Sequence, residues 1–360
     1  MRLRFRQLQA EFCLFLRCNC IILVYVDDCL IFFPFKTTID QVIHTLSKTY
    51  NLQDESDISA NTKDPKNGTI TLSQPGLIEQ VIQDVGLTDF SKGKDTPADS
   101  ILHADQVRAP RHESWNYRSI IGNLNYIADN SRPDISMAVH QCACFCISPR
   151  VIHELAVKGI FRYLHATKSK GIIMHPSTNL ALDMYVDSDF TGMWHKEHTH
   201  LPDNVLSHTG HVIFFGGCPV TWASRLQTEI ALSTTESEYI ALNSAARELF
   251  PLRQLLLDID THSFISLPKT SPHDSIKGST LLPSQIFEDN AACIVLATTS
   301  SSFKPRTKHI ALKYHHFKDH VINGSLQIVK VPTDSNNADI FTKPLVQFKF
   351  EHLRQMLLGW

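Results

Sequence analysis

Two short apolar runs near the start of the chain, at 20–26 and 29–35, are separated only by Asp27 and Asp28. Both are rich in β-branched and aromatic residues, which suit a pleated strand, so the pattern predicts a hairpin with two carboxylates at its tip. Helical spacing follows at 39–50, then a polar stretch at 54–68, a short strand at 69–73 and a helix at 76–85. The polar, proline-bearing segment 89–110 reads as a linker. From 113 to 170 the apolar residues recur at helical intervals, through Tyr117, Ile120, Ile121 and Leu124 and again through Leu155, Ile160, Tyr163 and Leu164. The helical stretch breaks at Ser131-Arg132-Pro133-Asp134, where Pro133 can open a new helix at its first turn.

Beyond Gly171 the period changes from that of a helix to that of a strand. Leu182, Met184 and Val186 alternate with Asp183, Tyr185 and Asp187, which predicts a half-buried strand with Asp187 and Asp189 on one face. Further strands are expected at 210–215, 220–224 and 229–232, with Gly216-Gly217 as the first turn of an antiparallel meander. Ser233-Thr234-Thr235-Glu236 fits a capping box and should open a long helix to about residue 258. A strand at 285–288 ends at Asp289 and leads into a helix at 290–297, a βα unit with an acid at the strand's C-terminal edge. Ile310, Tyr314, Phe317 and Val321 form an apolar stripe of helical spacing, and a last helix is expected at 338–345 around Asp339.

Composition narrows the class without choosing it. With 360 residues, 43% of them hydrophobic and 19% charged, the chain has room for two or three domains of ordinary globular character. A formal charge of −2 gives no global case for nucleic-acid binding, yet residues 301–360 hold nine Lys or Arg against four Asp or Glu, so a local case exists. Nine Cys without a CxxC pair read as reduced thiols of an intracellular protein, cytoplasmic by expectation with the nucleus left open. The apolar run from 12 to 35 is interrupted by Arg17, Asp27 and Asp28, so no membrane helix is expected, and no cleavable signal is evident.

Four acids, Asp187, Glu238, Asp289 and Asp339, fall in the order strand, helix, strand, helix, each near an element end. Cutting a phosphodiester with two Mg²⁺ ions needs several carboxylates converging from separate elements, and this order suits that chemistry. Each acid also has an ordinary explanation. Asp187 and Asp189 could be solvated strand residues, and Asp289 could cap the helix that follows it. Asp339 could sit at the positive end of a helix. Glu236 already serves the capping box, which leaves Glu238 as the freer carboxylate.

The motifs YVDSDF (185–190), STTESEYIAL (233–242), FEDN (287–290) and NNADIFTKPL (336–345) resemble the ribonuclease H domain of copia-type retrotransposon polyproteins, as do 210–233 and 306–316. The resemblance implies that Asp187 bridges two Mg²⁺ ions, that Glu238 and Asp289 complete one metal site, and that Asp339 helps hold the other. It implies hydrolysis of the RNA strand of an RNA–DNA hybrid, leaving a 3′-hydroxyl and a 5′-phosphate. Lys304, Arg306, Lys308, Lys313 and Lys318 are candidates for phosphate contacts. Zinc ligation by His315, His316 and His320, or by His195, His198 and His200, is not expected, since no third clear ligand accompanies either set. Many cellular ribonucleases H carry a histidine shortly before the last acid, whereas 323–338 contains none, so no such role is carried over.

Tyr25-Val26-Asp27-Asp28 between apolar strands resembles the metal-binding hairpin of a reverse transcriptase palm. Residues 71–82, 115–126, 131–135 and 162–167 resemble the thumb and connection of the same polyproteins. The architecture expected is α/β throughout: a truncated palm and thumb remnant at 1–100, a helical connection at 101–180, and a ribonuclease H-like mixed sheet flanked by helices at 181–360. Nucleotide addition in this family needs a third, upstream aspartate, and no Asp occurs among the 24 residues before Tyr25, so no polymerase activity is expected of this polypeptide. The partners implied are an RNA–DNA hybrid and the rest of a retroelement polyprotein. The competing expectation is a degenerate fragment that at most binds nucleic acid.

Overall fold

The computed structural model describes residues 5–8, 10–17, 20–26, 28–32, 35–50, 61–64, 68–88, 93–104, 111, 114–192, 194–196, 202–261, 267, 282–299 and 316–360. The N-terminal part is an antiparallel sheet of β1 (Arg6–Gln7), β2 (Leu14–Arg17), β3 (Cys20–Tyr25) and β4 (Asp28–Phe32), in that order. β3 and β4 form the expected hairpin, Tyr25 opposite Asp28, and the exposed Val26 turns the chain at φ 53°. Asp28 is exposed, while Asp27 lies outside the described residues. After α1 (Lys36–Leu46), a second antiparallel sheet joins β5 (Asn61–Asp64) and β6 (Thr69–Leu72) to β7 (Ile172–Met174), far along the chain. Four helices fall between β6 and β7: α2 (Pro75–Asp84), α3 (Tyr117–Asn130), α4 (Ser136–Ala143) and α5 (Val151–Ala166).

The break between α3 and α4 is a buried charge network. Arg132, fully buried, donates from Nε and Nη2 to the two oxygens of Asp134 at 3.0 and 2.8 Å, and from Nη1 and Nη2 to Thr167 O and Oγ1. Tyr163 Oη donates to Asp134 at 2.6 Å. This planar, bidentate pairing ties the 3₁₀ turn Pro133–Ile135 to α5 with few donors left unmet.

The C-terminal half is built on a mixed sheet in the order β10-β9-β8-β11-β12. β8 (Leu182–Asp189), β9 (His208–Phe215) and β10 (Cys218–Leu226) are antiparallel neighbours, and β11 (Ser284–Glu288) lies parallel to both β8 and β12 (Leu326–Lys330). Between these strands run α6 (Thr234–Thr261), α7 (Ala291–Thr298) and α8 (Lys318–Ile322), and α9 (Gln347–Leu358) ends the chain. Alternation along each strand divides the side chains between two cores. Met184, Val186, Ile213 and Ile286 pack against Tyr239, Leu242, Ala245 and Leu249 of α6. Val212 and Phe214, one step out of phase with Ile213, pack in a core shared with Ile120 and Leu124 of α3, Phe161 of α5 and Phe350 and Leu353 of α9. The mixed α/β architecture with a helix-flanked mixed sheet is as expected. Leu8 and Leu16 of the N-terminal sheet meet Ile259 of α6, and Ala10 N donates to Asp258.

Several local expectations are corrected. No strand forms at 229–232; the chain bends there, with Ile230 and Leu232 exposed and Ala231 buried in the α6 core. The expected helix at 338–345 is a 3₁₀ turn, Asn337–Phe341, which Pro344 keeps from continuing. β1, β2, β5, β12 and α9 have no counterpart among the expected elements. The stripe on 310–321 is described only at its end, where Phe317 is buried in the α6 core and Val321 packs against it. Among the described residues no helix is long and apolar enough to cross a membrane.

The 3₁₀ turn lies directly on β9, and Gly210 permits it: a Cβ there would stand 2.6 Å from Phe341 Cβ and 2.7 Å from Thr342 Cγ2. Gly210→Ala is therefore expected to lower stability by about 1–3 kcal/mol through overpacking, measurable by urea denaturation. Asp134→Ala should cost about 3–5 kcal/mol in the same measurement, because it strands the Arg132 guanidinium in the core.

Candidate metal centre

β8 and β11 are parallel with Phe287 opposite Tyr185, so two residues further on Asp289 comes level with Asp187 at the strands' C-terminal edge. Glu238 arrives from the second turn of α6. Gln227, buried just after β10, donates from Nε2 to Ser237 O at 2.8 Å, Thr209 Oγ1 at 3.0 Å and Ser188 Oγ at 3.3 Å, which fixes the start of α6 against β8 and β9. One carboxylate oxygen each from Asp187, Glu238 and Asp289 then lie within 4.8 Å of one another.

The ordinary explanations for these acids lose ground in the structure. Asp187 is 2% exposed and Glu238 5%, so neither is a solvated surface acid. Glu236 is occupied near the helix start: its Oε2 accepts from Leu232 N at 2.8 Å, and its own N–H donates to Ser233 Oγ at 3.2 Å. Asn290, and not Asp289, caps α7, accepting from Ala292 N and Cys293 N at 3.0 Å each.

A fifth carboxylate, Glu288, joins the cluster and was not singled out from sequence. It is fully buried, its Oε1 accepts from Asn290 N at 3.0 Å, and its Oε2 has no partner. The signal was present in the period of two along β11, which sets Glu288 on the same side as buried Ser284 and Ile286. Glu238 Oε2 is likewise buried without a partner. Burial first, and then the neighbouring carboxylates Glu288, Asp187 and Asp289, push the Glu238 carboxyl well above the usual range. Burial also raises Glu288, against the Asn290 N–H and with Asp289 and Asp187 adding to the effect. Asp187 is pushed up to about 7, chiefly by burial, with Lys343 and the Thr342 hydroxyl opposing and Asp339 and Asp289 reinforcing.

Asp339 is brought to the same place by a different route. Asn336 Nδ2 donates to Val186 O at 2.9 Å, Ser224 Oγ to Phe341 O at 2.6 Å, and Thr342 Oγ1 to Asp187 Oδ2, pinning the turn onto β8 and β10. Fully buried, Asp339 meets Lys343 Nζ at 2.8 Å and Lys349 Nζ of α9 at 2.5 Å, one on each oxygen. Lys343 Nζ also lies 3.5 Å from Asp187 Oδ2. Burial would lower the Lys343 pKa, but Asp187 and Asp339 outweigh it and hold the ammonium charged.

Of the other predicted site residues, Lys304, Arg306, Lys308 and Lys313 lie outside the described residues. Lys318 is half-buried, its Nζ 3.4 Å from Thr299 O. His320 stacks on Phe250 and pairs with Ser325 Oγ, and His316 also faces Phe250, while His315, His198 and His200 lie outside the described residues. Among the described residues the carboxylate trio is the one group with the spacing of a metal site. Its all-oxygen donor set suits a hard cation, and the buried oxygens Glu238 Oε2 and Glu288 Oε2, left without a hydrogen-bond partner, are what such an ion would satisfy. The residues present fit a divalent ion.

No family model matches the chain. Curated relatives do. The chain is 30% identical over 349 residues to the retrovirus-related Pol polyprotein from transposon TNT 1-94 of Nicotiana tabacum, covering 94% of this chain and 24% of that one. It is 29% identical to the corresponding polyprotein from transposon RE1 of Arabidopsis thaliana, over 92% of this chain and 21% of the relative. A transposon Ty5-1 protein of Saccharomyces cerevisiae is 31% identical over 63% of this chain and 73% of its own length. Among solved structures, the compost-derived LC11-RNase H1 aligns over 45% of this chain and 93% of its own at 17% identity, with a TM-score of 0.30 that is too low to bear weight. The chain spans about a quarter of the length of the TNT 1-94 polyprotein. On the relatives' evidence, this chain belongs to the family of retrovirus-related Pol polyproteins of copia-type transposons.

Proposed function

We propose that the C-terminal half of this chain is a divalent-metal-dependent ribonuclease H that hydrolyses the RNA strand of RNA–DNA hybrids within a retrotransposon polyprotein. The observation that carries this reading is the convergence of Asp187, Glu238 and Asp289 within 4.8 Å, with buried oxygens of Glu238 and Glu288 left unpartnered. Asp187, Glu238 and Asp289 would hold Mg²⁺, which when bound supplies a Lewis acid for the scissile phosphate and lowers the pKa of the attacking water. Glu288 adds a further buried carboxyl beside the trio, one oxygen of which has no partner. Gln227 and the 3₁₀ turn hold the strand ends and α6 in register, so the carboxylates need little rearrangement. The basic segment with Lys304, Arg306, Lys308 and Lys313 is assigned to the phosphates of the hybrid. Asp27 and Asp28 take no part in this reaction.

Hybrid cleavage in Mg²⁺ by the full chain and by Asp187→Asn tests the reading. Loss of a carboxylate shared by the whole cluster should cut the rate by roughly 10²-fold or more, the scale of several kcal/mol of transition-state stabilisation. Equal background cutting by both proteins would instead favour the inert fragment.

Burial of these acids also predicts a pH signature. Because the Asp187 pKa is raised to about 7 in the folded chain, its proton favours folding most fully below the unfolded carboxylate range. That contribution is lost as pH rises through about 7. In EDTA, Asp187→Asn should therefore melt a few °C above the unaltered chain at pH 8, with the gap closing toward pH 4. Calorimetric melting across that range gives the answer, and a gap independent of pH would show that Asp187 is not held in this state.

A further inference from the structure

The cluster is lopsided in how its charge is neutralised. On the side of the trio, Glu238 Oε2 and Glu288 Oε2 are buried without partners. On the side of Asp339 both oxygens also lack a hydrogen bond, but each has an ammonium beside it, Lys343 Nζ at 2.8 Å from Oδ1 and Lys349 Nζ at 2.5 Å from Oδ2. The same Lys343 ammonium reaches Asp187 Oδ2 at 3.5 Å, the oxygen that also accepts from Thr342 Oγ1.

Building on the metal-centre reading above, we propose that Lys343 is a built-in cation spanning Asp187 and Asp339, so that the centre takes one divalent ion, at Asp187, Glu238 and Asp289, and not two. A lysine ammonium is a compact point charge with three donors, and here it meets two carboxylates at once. Its position does not depend on a long, free side chain finding the site. Lys343 follows Asp339 by four residues, and the backbone between them is clamped: Thr342 N and Lys343 N both approach Asp339 O, at 3.2 and 3.4 Å. Asn336 and Thr342 tie that turn to β8, and Gly210 lets it sit flush on β9. A divalent ion between Asp187 and Asp339 would have to expel this ammonium, because two cations repel strongly where little water screens them. On the other side the ion would meet the buried carboxyl oxygens Glu238 Oε2 and Glu288 Oε2, which have no hydrogen-bond partner. The structure thus separates two roles that two ions would otherwise share, a loadable site and a permanent counter-charge.

Ion counting distinguishes this arrangement from a two-ion centre without measuring cleavage. Mn²⁺ is titrated calorimetrically into the full chain, Lys343→Met and Glu238→Gln, with circular dichroism to check folding. The proposal expects one ion per unaltered chain, loss of that ion in Glu238→Gln, and two ions in Lys343→Met. Electron paramagnetic resonance of the Mn²⁺-saturated unaltered chain, which needs no variant, should show the hyperfine pattern of an isolated ion. Two ions bound by the unaltered chain, a spin-coupled pair, or a folded Lys343→Met that still binds one ion would each overturn the proposal while leaving the metal centre intact. Absence of any binding by the unaltered chain would overturn both.

Discussion

The approach of the 3₁₀ turn Asn337–Phe341 to β9 is the contact on which the cluster's geometry depends. Three of its acids come from elements that the sheet and α6 would bring together unaided: Asp187 and Asp289 by parallel pairing of β8 with β11, and Glu238 by packing of the α6 face. Asp339 and Lys343 come from the far end of the chain and reach the same point only because position 210 has no side chain. A missing Cβ in one strand thereby sets the charge balance of a carboxylate cluster at the end of the next.

That balance is a tension and not a source of stability. Burying Asp187, Glu238 and Glu288 together disfavours their charged forms, and the direction of all three pKa shifts follows from it. Two lysines offset part of the charge at Asp339, while the remainder stays uncompensated among unpartnered oxygens. Side chains that serve only packing are rarely left in such a state, since an apolar residue of similar size would cost less. The contrast with Arg132 and Asp134 is instructive. There a buried pair has its donors met by two carboxylate oxygens, a hydroxyl and a carbonyl, and the network joins elements without strain.

Much of this was legible in the chain because local rules carried it. Strict alternation placed Asp187, the capping residues explained Glu236 and so freed Glu238, and the strand-to-helix change located Asp289. The rest required knowledge of neighbours. The short apolar run at 230–232 has the composition of a strand yet forms none, while Leu326–Lys330 pairs because β11 offers a free parallel edge. Glu288 could have been found by following the alternation of β11 from Ile286 to the next position on the same face. The spacing of Asp339 and Lys343 also hinted at an ion pair. Lys349 could not have been linked to Asp339 from spacing, because Pro344 redirects the chain between the turn and α9.

The core shared by α3, α5 and α9 with the outer face of β9 bears on how this polypeptide can be divided. Val212 and Phe214 are sheltered by helices drawn from well before residue 180, and Trp222 of β10 donates its indole N–H to Ala128 O at 3.0 Å. Severing the chain just ahead of β8 would thus bare a greasy flank of the sheet rather than release a self-sufficient unit. The preceding helices act as the missing wall of that half, so any shorter version must bring its own replacement or clump.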